Sequence, residues 1–282
     1  MNIKKKEGFN SELTIIVNTC DSYSDVLSLF FAAFSEYWSN CSFDIIINTE
    51  ERLYGNYPAK VHNYKPTGCN SWGERFLQTL ESVETEFVLV VYDDFILEDY
   101  VSEEQLISIV NLMKVDKNST VFYLIDTNLP KSKTYIHNES FSEIIDYSDF
   151  KLNSAPAIWR KSDLINYTGK YDNPWAWEVF GSYRTYGNRH FYTRSQGFDD
   201  LYKYNYSKGG AIYRGRWVRE VVESKIKKYS LDIDLMDRGL SSDSVDEGRS
   251  LRWKIQFIML GFKMVGFKAF YFIPRYLRAK LL

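Results

Sequence analysis

The sequence predicts an α/β fold: a mostly parallel sheet with helices on both faces, followed by a basic C-terminal helical tail. Short apolar runs typical of strands alternate with segments of helical spacing over the first hundred residues. The run FVLVVY, from Phe87 to Tyr92, is apolar throughout, as expected for a strand buried on both faces of a parallel sheet. A chain of 282 residues is long enough for one large domain of this class with an appendage.

Each predicted element is read from apolar spacing and from the residues that flank it. In the first hundred residues these are strand 13–17, helix 25–38, strand 43–48, strand 60–64, helix 71–83 with Ser71 as its N-cap, and strand 87–92. They are followed by helix 102–113, strand 121–125, a polar region of loops and short strands at 126–154, the apolar segment 155–160 and helix 162–167. The pattern therefore predicts a regular first half and a less regular second half.

Charge is distributed unevenly along the chain. There are 35 basic and 37 acidic residues in all, but residues 251–282 hold seven basic side chains and no acidic ones. Residues 1–250 therefore carry 28 basic and 37 acidic side chains. Such an acidic body is a poor general binder of nucleic acid, because neutralisation of phosphates supplies most of the non-specific affinity. We expect no nucleic-acid partner.

Cysteine usage favours a reducing compartment. Cys20, Cys41 and Cys69 are odd in number and show no CxxC spacing, so neither a disulfide framework nor a zinc site is indicated. The N-terminal segment MNIKKKEGFN has basic residues without the apolar run of a secretion signal. We expect a cytoplasmic protein.

The most informative motif is the acid pair Asp93 and Asp94, which directly follows the strand at 87–92. In open parallel sheets, ligands bind beyond the carboxyl ends of the strands. Paired carboxylates there can hold Mg²⁺ or Mn²⁺, and the cation can in turn hold a diphosphate. The alternative is a strand-to-loop exit in which Asp94 caps the next turn.

Two further motifs lie in the first half. Thr19 and Asp21 follow the first strand, where a hydroxyl and a carboxylate can bind the base or ribose of a nucleotide. An ordinary Asx or Ser/Thr turn is the alternative at this position. Arg75, one helical turn after Trp72, can face a diphosphate or simply pair with a neighbouring glutamate.

The second half contains the aromatic motif NPWAWE, from Asn173 to Glu178. Apolar faces of sugar rings pack on aromatic side chains such as Trp175 and Trp177, and Glu178 can take a proton from a hydroxyl nucleophile. The alternative is a helix started by Pro174, with two core tryptophans and a surface glutamate. We favour the functional role, because this aromatic density follows a loop.

A basic motif, YRGRW, spans residues 213–217 and follows Lys208 and two glycines. Lysine and Arg216 near glycines could close over a leaving diphosphate and neutralise its charge. A solvated hairpin is the alternative for this segment.

Several familiar motifs are absent from the sequence. It contains no GxxxxGK[ST], GxGxxG or GxSxG, and His62, His137 and His190 show no metal-ligand spacing. Hydrolases, dehydrogenases and zinc enzymes are therefore disfavoured.

Taken in order, these motifs resemble those of GT-A-type glycosyltransferases, in particular the bacterial enzymes that build capsule, O-antigen or lipopolysaccharide glycans. The order comprises a polar loop after the first strand, a W-x-x-R helix, a strand ending in Asp-Asp-Phe, and the strings A-I-W-R, P-W-x-W-E and G-R-W. The resemblance covers most of residues 12–240. It implies a GT-A-like, Rossmann-like fold and transfer of a sugar from a nucleoside-diphosphate sugar to a glycan or lipid-linked acceptor.

Together with the resemblance, the motifs give a set of predicted site residues. They are Thr19, Asp21, Arg75, Asp93, Asp94 and Arg216 for the donor, Trp175 and Trp177 for the acceptor, Glu178 and Asp94 for catalysis, and Asp93 and Asp94 for a divalent cation, Mn²⁺ or Mg²⁺. Glu178 would be the base of an inverting transfer. The string YDDF departs from the family's acid-x-acid spacing, so direct hydrogen bonding between one aspartate and the sugar or ribose is the alternative to a cation.

The tail is mostly apolar from residue 255 to residue 272, but Lys263 and Lys268 interrupt it, which disfavours a transmembrane span. We expect a basic, aromatic-rich segment that lies in the interface of an anionic membrane, on the inner leaflet of the inner membrane. A lipid-linked acceptor would explain its use. The alternative is a C-terminal helix packed on the catalytic body.

The predicted organisation is a GT-A-like catalytic domain over residues 1–245 and a membrane-associating tail over 246–282. Within the domain, residues 1–125 would form the nucleotide-sugar half and 126–245 the acceptor half. A non-catalytic carbohydrate-binding or scaffold protein with the same fold is the alternative function. A sugar-nucleotide pyrophosphorylase would need a glycine-rich basic loop after the first strand, and residues 18–24 offer none.

Overall fold

The computed structural model describes residues 12–55, 61–188, 190–241 and 250–275. Its strands are β1 (Leu13–Asn18), β2 (Asp44–Asn48), β3 (Val61–Tyr64), β4 (Phe87–Tyr92), β5 (Val121–Tyr123), β6 (Lys131–Ile136), β7 (Phe141–Ile144), β8 (Ala157–Arg160), β9 (Phe191–Arg194), β10 (Ile212–Tyr213) and β11 (Arg216–Trp217). Its helices are α1 (Ser24–Tyr37), α2 (Trp72–Ser82), α3 (Glu103–Val115), α4 (Lys161–Tyr167), α5 (Pro174–Val179), α6 (Arg219–Lys228), α7 (Leu235–Arg238) and α8 (Leu251–Val265). The predicted α/β class and the C-terminal helix are confirmed.

The chain divides into two compact units, each built from separate parts of the sequence. The first unit comprises residues 1–65, 83–116 and 201–241. Its strands lie in the order β3-β2-β1-β4, and all neighbours in this sheet are parallel. The side chains of β1 and β4 are buried without alternation, apart from the half-buried Tyr92, because both faces of these strands are covered.

An aromatic cluster fixes α1 in the first unit. Phe34, in the last turn of α1, stacks on Trp38, which directly follows the helix, with ring centroids 5.1 Å apart. Trp38 and Phe43 form an edge-to-face pair with ring centroids 6.1 Å apart. All three rings are buried. Since burial of such large rings dominates core energetics, the cluster anchors the C-terminal end of α1 next to β2.

The second unit comprises residues 66–82, 117–200 and 242–282. Its strands lie in the order β8-β5-β9-β7-β6. Strand β5 pairs antiparallel with β8 and parallel with β9, while β7 pairs antiparallel with both β9 and β6. This part of the fold is therefore mixed, whereas the four strands β3-β2-β1-β4 are parallel and the small β10–β11 hairpin of the first unit is antiparallel.

The tail packs on the second unit through one face of α8. Gly261 lies so close to the Phe180 ring that a Cβ built on it would meet ring carbons at 2.5 Å. Phe257 and Phe180 have ring centroids 4.9 Å apart, and Arg184 Nη2 donates to Met264 O at 3.2 Å. Within its own unit the tail is thus a packed helix, the alternative that the sequence left open.

The other face of α8 is exposed. Leu251, Ile255 and Met259 are 74%, 51% and 65% exposed. Among the described residues, Leu251–Arg275 is the one helical segment long and apolar enough to cross a membrane, by length and composition only. Its best 18-residue window has a mean hydropathy of 1.4 and is 11% buried. Two basic residues of the predicted tail, at 278 and 280, lie outside the described residues.

Candidate functional site

The acid pair lies directly after β4, at the carboxyl end of the parallel sheet of the first unit. Asp93 N donates to Asn18 O at 3.2 Å, which continues the pairing of β4 with β1. The Thr19 hydroxyl donates to Asp93 Oδ2 at 2.5 Å. Asp93 is 2% exposed. Its carboxylate therefore binds the end of β1 and is turned away from solvent.

Asp94 is partly exposed and lies against a glycine loop. Ala211 N donates to Asp94 O at 2.8 Å. Gly210 has φ of 147°, and a Cβ on it would lie 2.8 Å from Asp94 Oδ2. Only a residue without a side chain fits this backbone position. The loop that follows Lys208 thus contacts Asp94 at Gly210. Lys208 itself forms an ion pair with Glu220, with 3.1 Å between Nζ and Oε1.

Burial raises the pKa values of both carboxyl groups. The pKa of Asp94 is raised to about 7 by loss of solvation. The pKa of Asp93 is raised well above its usual range, first by burial and then by the charge of Asp94, with the Thr19 hydroxyl opposing the shift. Among the described residues, no ion pair is formed with either carboxylate. Adjacent carboxyl groups that have raised pKa values and no ion pair with a basic side chain are a common feature of functional sites.

The donor set of the acid pair is compatible with a divalent cation that has few protein ligands. Hard carboxylate oxygens suit Mg²⁺ or Mn²⁺, and Mg²⁺ is usually held by one or two carboxylates together with substrate phosphates and water. No cluster of three or more His, Cys, Asp or Glu side chains that could hold a metal occurs within the described parts of the chain. Asp94, the more exposed of the pair, would be the principal ligand, and the remaining coordination would come from the ligand and water.

Two tyrosines and a thiol near the acid pair were not anticipated from the sequence. Burial, and next the charge of Asp94, raises the pKa of Tyr23 to about 12. Burial, and next the charge of Asp21, raises the pKa of Tyr54 to about 12. The pKa of Cys20 is raised by burial. The signal in the sequence was the position of Tyr23, two residues after Asp21 in the loop that follows β1.

Asp21 organises the loop after β2. Its backbone N–H donates to Glu50 Oε2 at 2.8 Å. Its own carboxylate accepts hydrogen bonds from the backbone N–H groups of Glu51, at 3.2 Å, and Arg52, at 3.1 Å. The structure therefore brings Thr19, Asp21 and the acid pair into the same unit, at the same edge of the sheet.

Arg238, on α7, also contacts this loop, and it was not singled out from the sequence. Its guanidinium lies over the Tyr23 ring at 4.6 Å and binds Asp25 Oδ1 at 2.5 Å. Arg216, the predicted donor ligand, is exposed on the β10–β11 hairpin. Arg238 could not be singled out because it lies more than 200 residues from Tyr23 in the sequence.

The predicted acceptor residues belong to the second unit. Asn173 caps α5 by accepting from Ala176 N at 2.8 Å. Glu178, on this helix, accepts a hydrogen bond from Ser154 N at 2.6 Å. Burial raises the pKa of Glu178, with the hydrogen bonds from Ser154 opposing the shift. A raised pKa is compatible with a general base that works near neutral pH.

The two tryptophans of the motif have different surroundings. Trp175 is 43% exposed and stacks on Trp253 and Phe257 of α8 at 4.7 and 4.8 Å. Trp177 is 3% exposed, and its Nε1 donates to Tyr167 O at 3.2 Å. Trp175 therefore presents ring surface to solvent, whereas Trp177 lies in the core of the unit.

Arg75 lies on α2, which also belongs to the second unit. It is 8% exposed, on the buried side of the helix. The predicted N-cap of α2 is confirmed, since Glu74 N donates to Ser71 Oγ at 3.1 Å.

No protein-family model and no curated protein sequence matches this chain. Solved structures do match. TarS 1–349 of S. aureus matches with a TM-score of 0.44 and 15% identity, over 90% of this chain and 83% of that one. A CMP:2-keto-3-deoxy-manno-octonic acid synthetase complexed with CTP matches with a TM-score of 0.41 and 11% identity, over 78% and 98% of the two chains.

The galactosyltransferase LgtC, in complex with donor and acceptor sugar analogs, matches with a TM-score of 0.32 and 9% identity, over 54% of this chain and 59% of that one. The structural neighbours thus include glycosyltransferases and enzymes complexed with nucleotides.

Proposed function

We propose that this protein is a glycosyltransferase that moves a sugar from a nucleoside-diphosphate sugar to a glycan or lipid-linked acceptor, in bacterial synthesis of capsule, O-antigen or lipopolysaccharide. The observation that carries the proposal is the acid pair Asp93 and Asp94. It lies at the carboxyl end of a parallel sheet, has no basic partner among the described residues, and is approached by a glycine loop. Ligands of α/β sheets bind at this end.

Within the first unit, the proposal assigns donor binding to the groups around the acid pair. Asp94, supported by Asp93, would hold a divalent cation and through it the diphosphate. Thr19 and Asp21 would contact the nucleoside, with the side chains of Tyr23 and Tyr54 near them. Arg216, which is exposed on the β10–β11 hairpin of this unit, is proposed as a further donor contact because of its positive charge.

Within the second unit, the proposal assigns acceptor binding to α5. The Glu178 carboxylate would take the proton from an acceptor hydroxyl as that oxygen bonds to the anomeric carbon of the donor sugar. The bond from this carbon to the diphosphate breaks, and the nucleoside diphosphate leaves with the electron pair. Attack from the opposite side inverts the anomeric configuration. Trp175 would pack on an acceptor ring, and Trp177 would hold the helix in place from the core.

The tail extends the proposal to the membrane. A helix whose outer face is apolar and whose segment carries basic but no acidic residues can lie in the interface of an anionic bilayer. We place the protein in the cytoplasm, at the inner leaflet of the inner membrane, where a lipid-linked acceptor would be presented.

The test is turnover of UDP-, GDP- and TDP-sugars with Mn²⁺ or Mg²⁺, scored as donor hydrolysis or transfer. We expect Asp94→Ala to lower the rate by orders of magnitude, because a lost electrostatic contact to the diphosphate typically costs a factor of about 10² or more. The matched control is Asp232→Ala, at an exposed aspartate of the same unit, which should leave the rate near wild type. An unchanged rate in Asp94→Ala would refute the proposal.

The alternative is a non-catalytic carbohydrate-binding protein with the same fold. It is favoured by the exposed Trp175 ring on its aromatic support. It predicts that no donor turns over, and that glycan binding survives Asp94→Ala but is lost in Trp175→Ala. Isothermal titration with bacterial surface glycans separates the two functions.

A further inference from the structure

A pair of lysines shares one tyrosine ring where the tail meets the loop before α5, inside the second unit. Lys263 Nζ lies 3.8 Å from the centroid of the Tyr171 ring, and Lys170 Nζ lies 4.8 Å from the same centroid. All three residues are exposed. Two ammonium groups that contact one ring lie no more than roughly 9 Å apart, so an anion beside the ring experiences both charges.

The two lysines have no acidic partner among the described residues. The carboxylate closest in sequence, Asp172, is buried and bound by both terminal nitrogens of Arg184, at 2.5 and 2.8 Å. Residues 251–282, which include Lys263, contain no acidic residue. Within the described ranges, no carboxylate therefore neutralises the positive charge of this cluster, and an anionic ligand can approach both ammonium groups.

The loop that carries two members of the cluster is held in place. Asp172 N donates to Gly169 O at 3.0 Å, and Gly169 N donates to Asp172 Oδ2 at 2.8 Å. Ser71 Oγ donates to Lys170 O, and Gly73 N donates to Asp172 O at 3.0 Å. A site formed on such a loop needs little reorganisation to bind, which lowers the entropic cost of binding.

The cluster also lies at the end of the exposed apolar row of α8. Leu251, Ile255 and Met259 are spaced by four residues, and Lys263 is the next position of the same row. If the apolar row enters a bilayer, Lys263 lies at the depth of the lipid headgroups. Lysine ammonium groups and a phenol hydroxyl are donors that suit phosphate oxygens.

We propose that Lys170, Tyr171 and Lys263 form a binding site for a phosphate group carried by a membrane lipid. The chemistry is shared by an anionic phospholipid headgroup and by the phosphate of a lipid-linked sugar acceptor. Trp175, four residues beyond Tyr171, stacks on the same helix α8 and offers a surface for the sugar of such an acceptor. The site deepens the proposed membrane association and rests on it.

The experiment is sedimentation of the full chain with lipid vesicles. Three compositions are compared: phosphatidylcholine alone, phosphatidylcholine with phosphatidylglycerol, and phosphatidylcholine with polyprenyl phosphate at equal surface charge. We expect K170Q/K263Q to weaken binding to both anionic vesicles by roughly thirtyfold, from the usual contribution of two juxtamembrane lysines. Tyr171→Leu should weaken it by several-fold.

The control is K133Q/K254Q, which removes the same charge from two exposed lysines of the same unit. The loss of vesicle affinity in this control should be at least five times smaller than the loss in K170Q/K263Q. Equal losses in the two double variants would overturn the proposal, since the effect would then be general charge. Unfolding midpoints of all variants are measured to exclude loss of fold.

Selectivity assigns the source of the phosphate. Tighter binding to polyprenyl phosphate than to phosphatidylglycerol, lost in K170Q/K263Q, assigns a lipid-linked acceptor, and equal binding lost in that variant assigns a phospholipid headgroup. Asp94→Ala should bind these vesicles like wild type. A protein that binds them through the two lysines but turns over no donor would keep this site and refute the proposed transferase.

Discussion

The two residues of the acid pair differ in burial and in their contacts. Asp93 is held by the Thr19 hydroxyl and is turned inward, whereas Asp94 lies partly exposed beside Gly210. Successive side chains at the end of a strand point to opposite sides, so two acids in sequence rarely share one environment. Asp94 is therefore the member of the pair that can meet a ligand, and Asp93 holds the ends of β1 and β4 together.

The raised pKa of Asp94 predicts that stability falls as pH rises. The folded pKa of Asp94 is about 7 and its unfolded value is 3.8, so the folded state binds more protons than the unfolded state. The free energy of unfolding therefore falls between pH 4 and pH 7, and the loss is complete above pH 7. Asp94→Asn should raise the free energy of unfolding by about 2 kcal/mol at pH 8, after allowance for partial exposure, and by less at pH 5.

Urea unfolding in EDTA at the two pH values checks this prediction, because a bound cation would compensate the charge. The exposed Asp232→Asn serves as the control and should show no gain at either pH. If Asp94→Asn raised the free energy of unfolding more at pH 5 than at pH 8, the pKa of Asp94 would not be raised in the folded protein.

The close approach of Gly210 to Asp94 predicts a selective effect of one methyl group. Gly210→Ala places a Cβ within 2.8 Å of Asp94 Oδ2, in addition to the strain of a positive φ. Gly209→Ala has positive φ of 92° but meets nothing within 4 Å. Both should lose about 1–2 kcal/mol of stability from backbone strain, measured by urea unfolding.

Only Gly210→Ala should also lower donor turnover, by about tenfold or more, because displacement by a fraction of an ångström at a catalytic group is costly. Equal turnover in the two alanine variants would show that the loop does not position Asp94.

At the scale of single residues, the sequence predicts some of the site and misses the rest for a physical reason. The acid pair was found because an apolar run ends at it, which is a local pattern. The glycines after Lys208 were noted as a loop that could close over the diphosphate, but the contact of Gly210 with Asp94 was not predicted, and Arg238 was not found. Each meets the site through contacts between distant parts of the chain. The difference between Trp175 and Trp177 was not predicted either, because burial on a short helix is decided by its neighbours.

At the scale of elements, regular segments were predicted and their contacts were not. The helix at Trp72–Ser82 and its N-cap Ser71 follow from capping chemistry, and β4 follows from its apolar run. The packing of α8 could not be read from its partial amphipathicity, because its buried face is narrow and includes Gly261. A glycine that permits close approach gives no hydrophobic signal in a sequence.

The close contact between Gly261 and the Phe180 ring predicts that a larger residue at position 261 would loosen the packing of α8 on the second unit. Gly261→Ala improves helix propensity by about 1 kcal/mol, but its methyl group would overlap the buried Phe180 ring, and overpacking costs about 1–3 kcal/mol. We therefore expect a net loss of stability and faster proteolysis of the tail. Met259→Ala, on the exposed face of the same helix, should change stability by about 0.5 kcal/mol or less.

Chemical unfolding and limited trypsin digestion of both variants provide the measurements. Higher stability in Gly261→Ala than in wild type would show that α8 is not held at this contact.

At the scale of the whole molecule, the two compact units interleave along the chain. Residues 66–82 belong to the second unit and residues 201–241 to the first. Contacts between segments far apart in sequence leave no periodic signal, so apolar spacing could identify the elements but not their grouping.

The return of residues 201–241 to the first unit has a consequence for synthesis. Asp94 emerges from the ribosome roughly 120 residues before the glycine that lies against it, a delay of about 6–24 s at bacterial or slower rates of translation. During that time the growing chain exposes an acid pair whose unit is unfinished. The first unit can reach its final form only when most of the chain has been made, because residues 201–241 complete it.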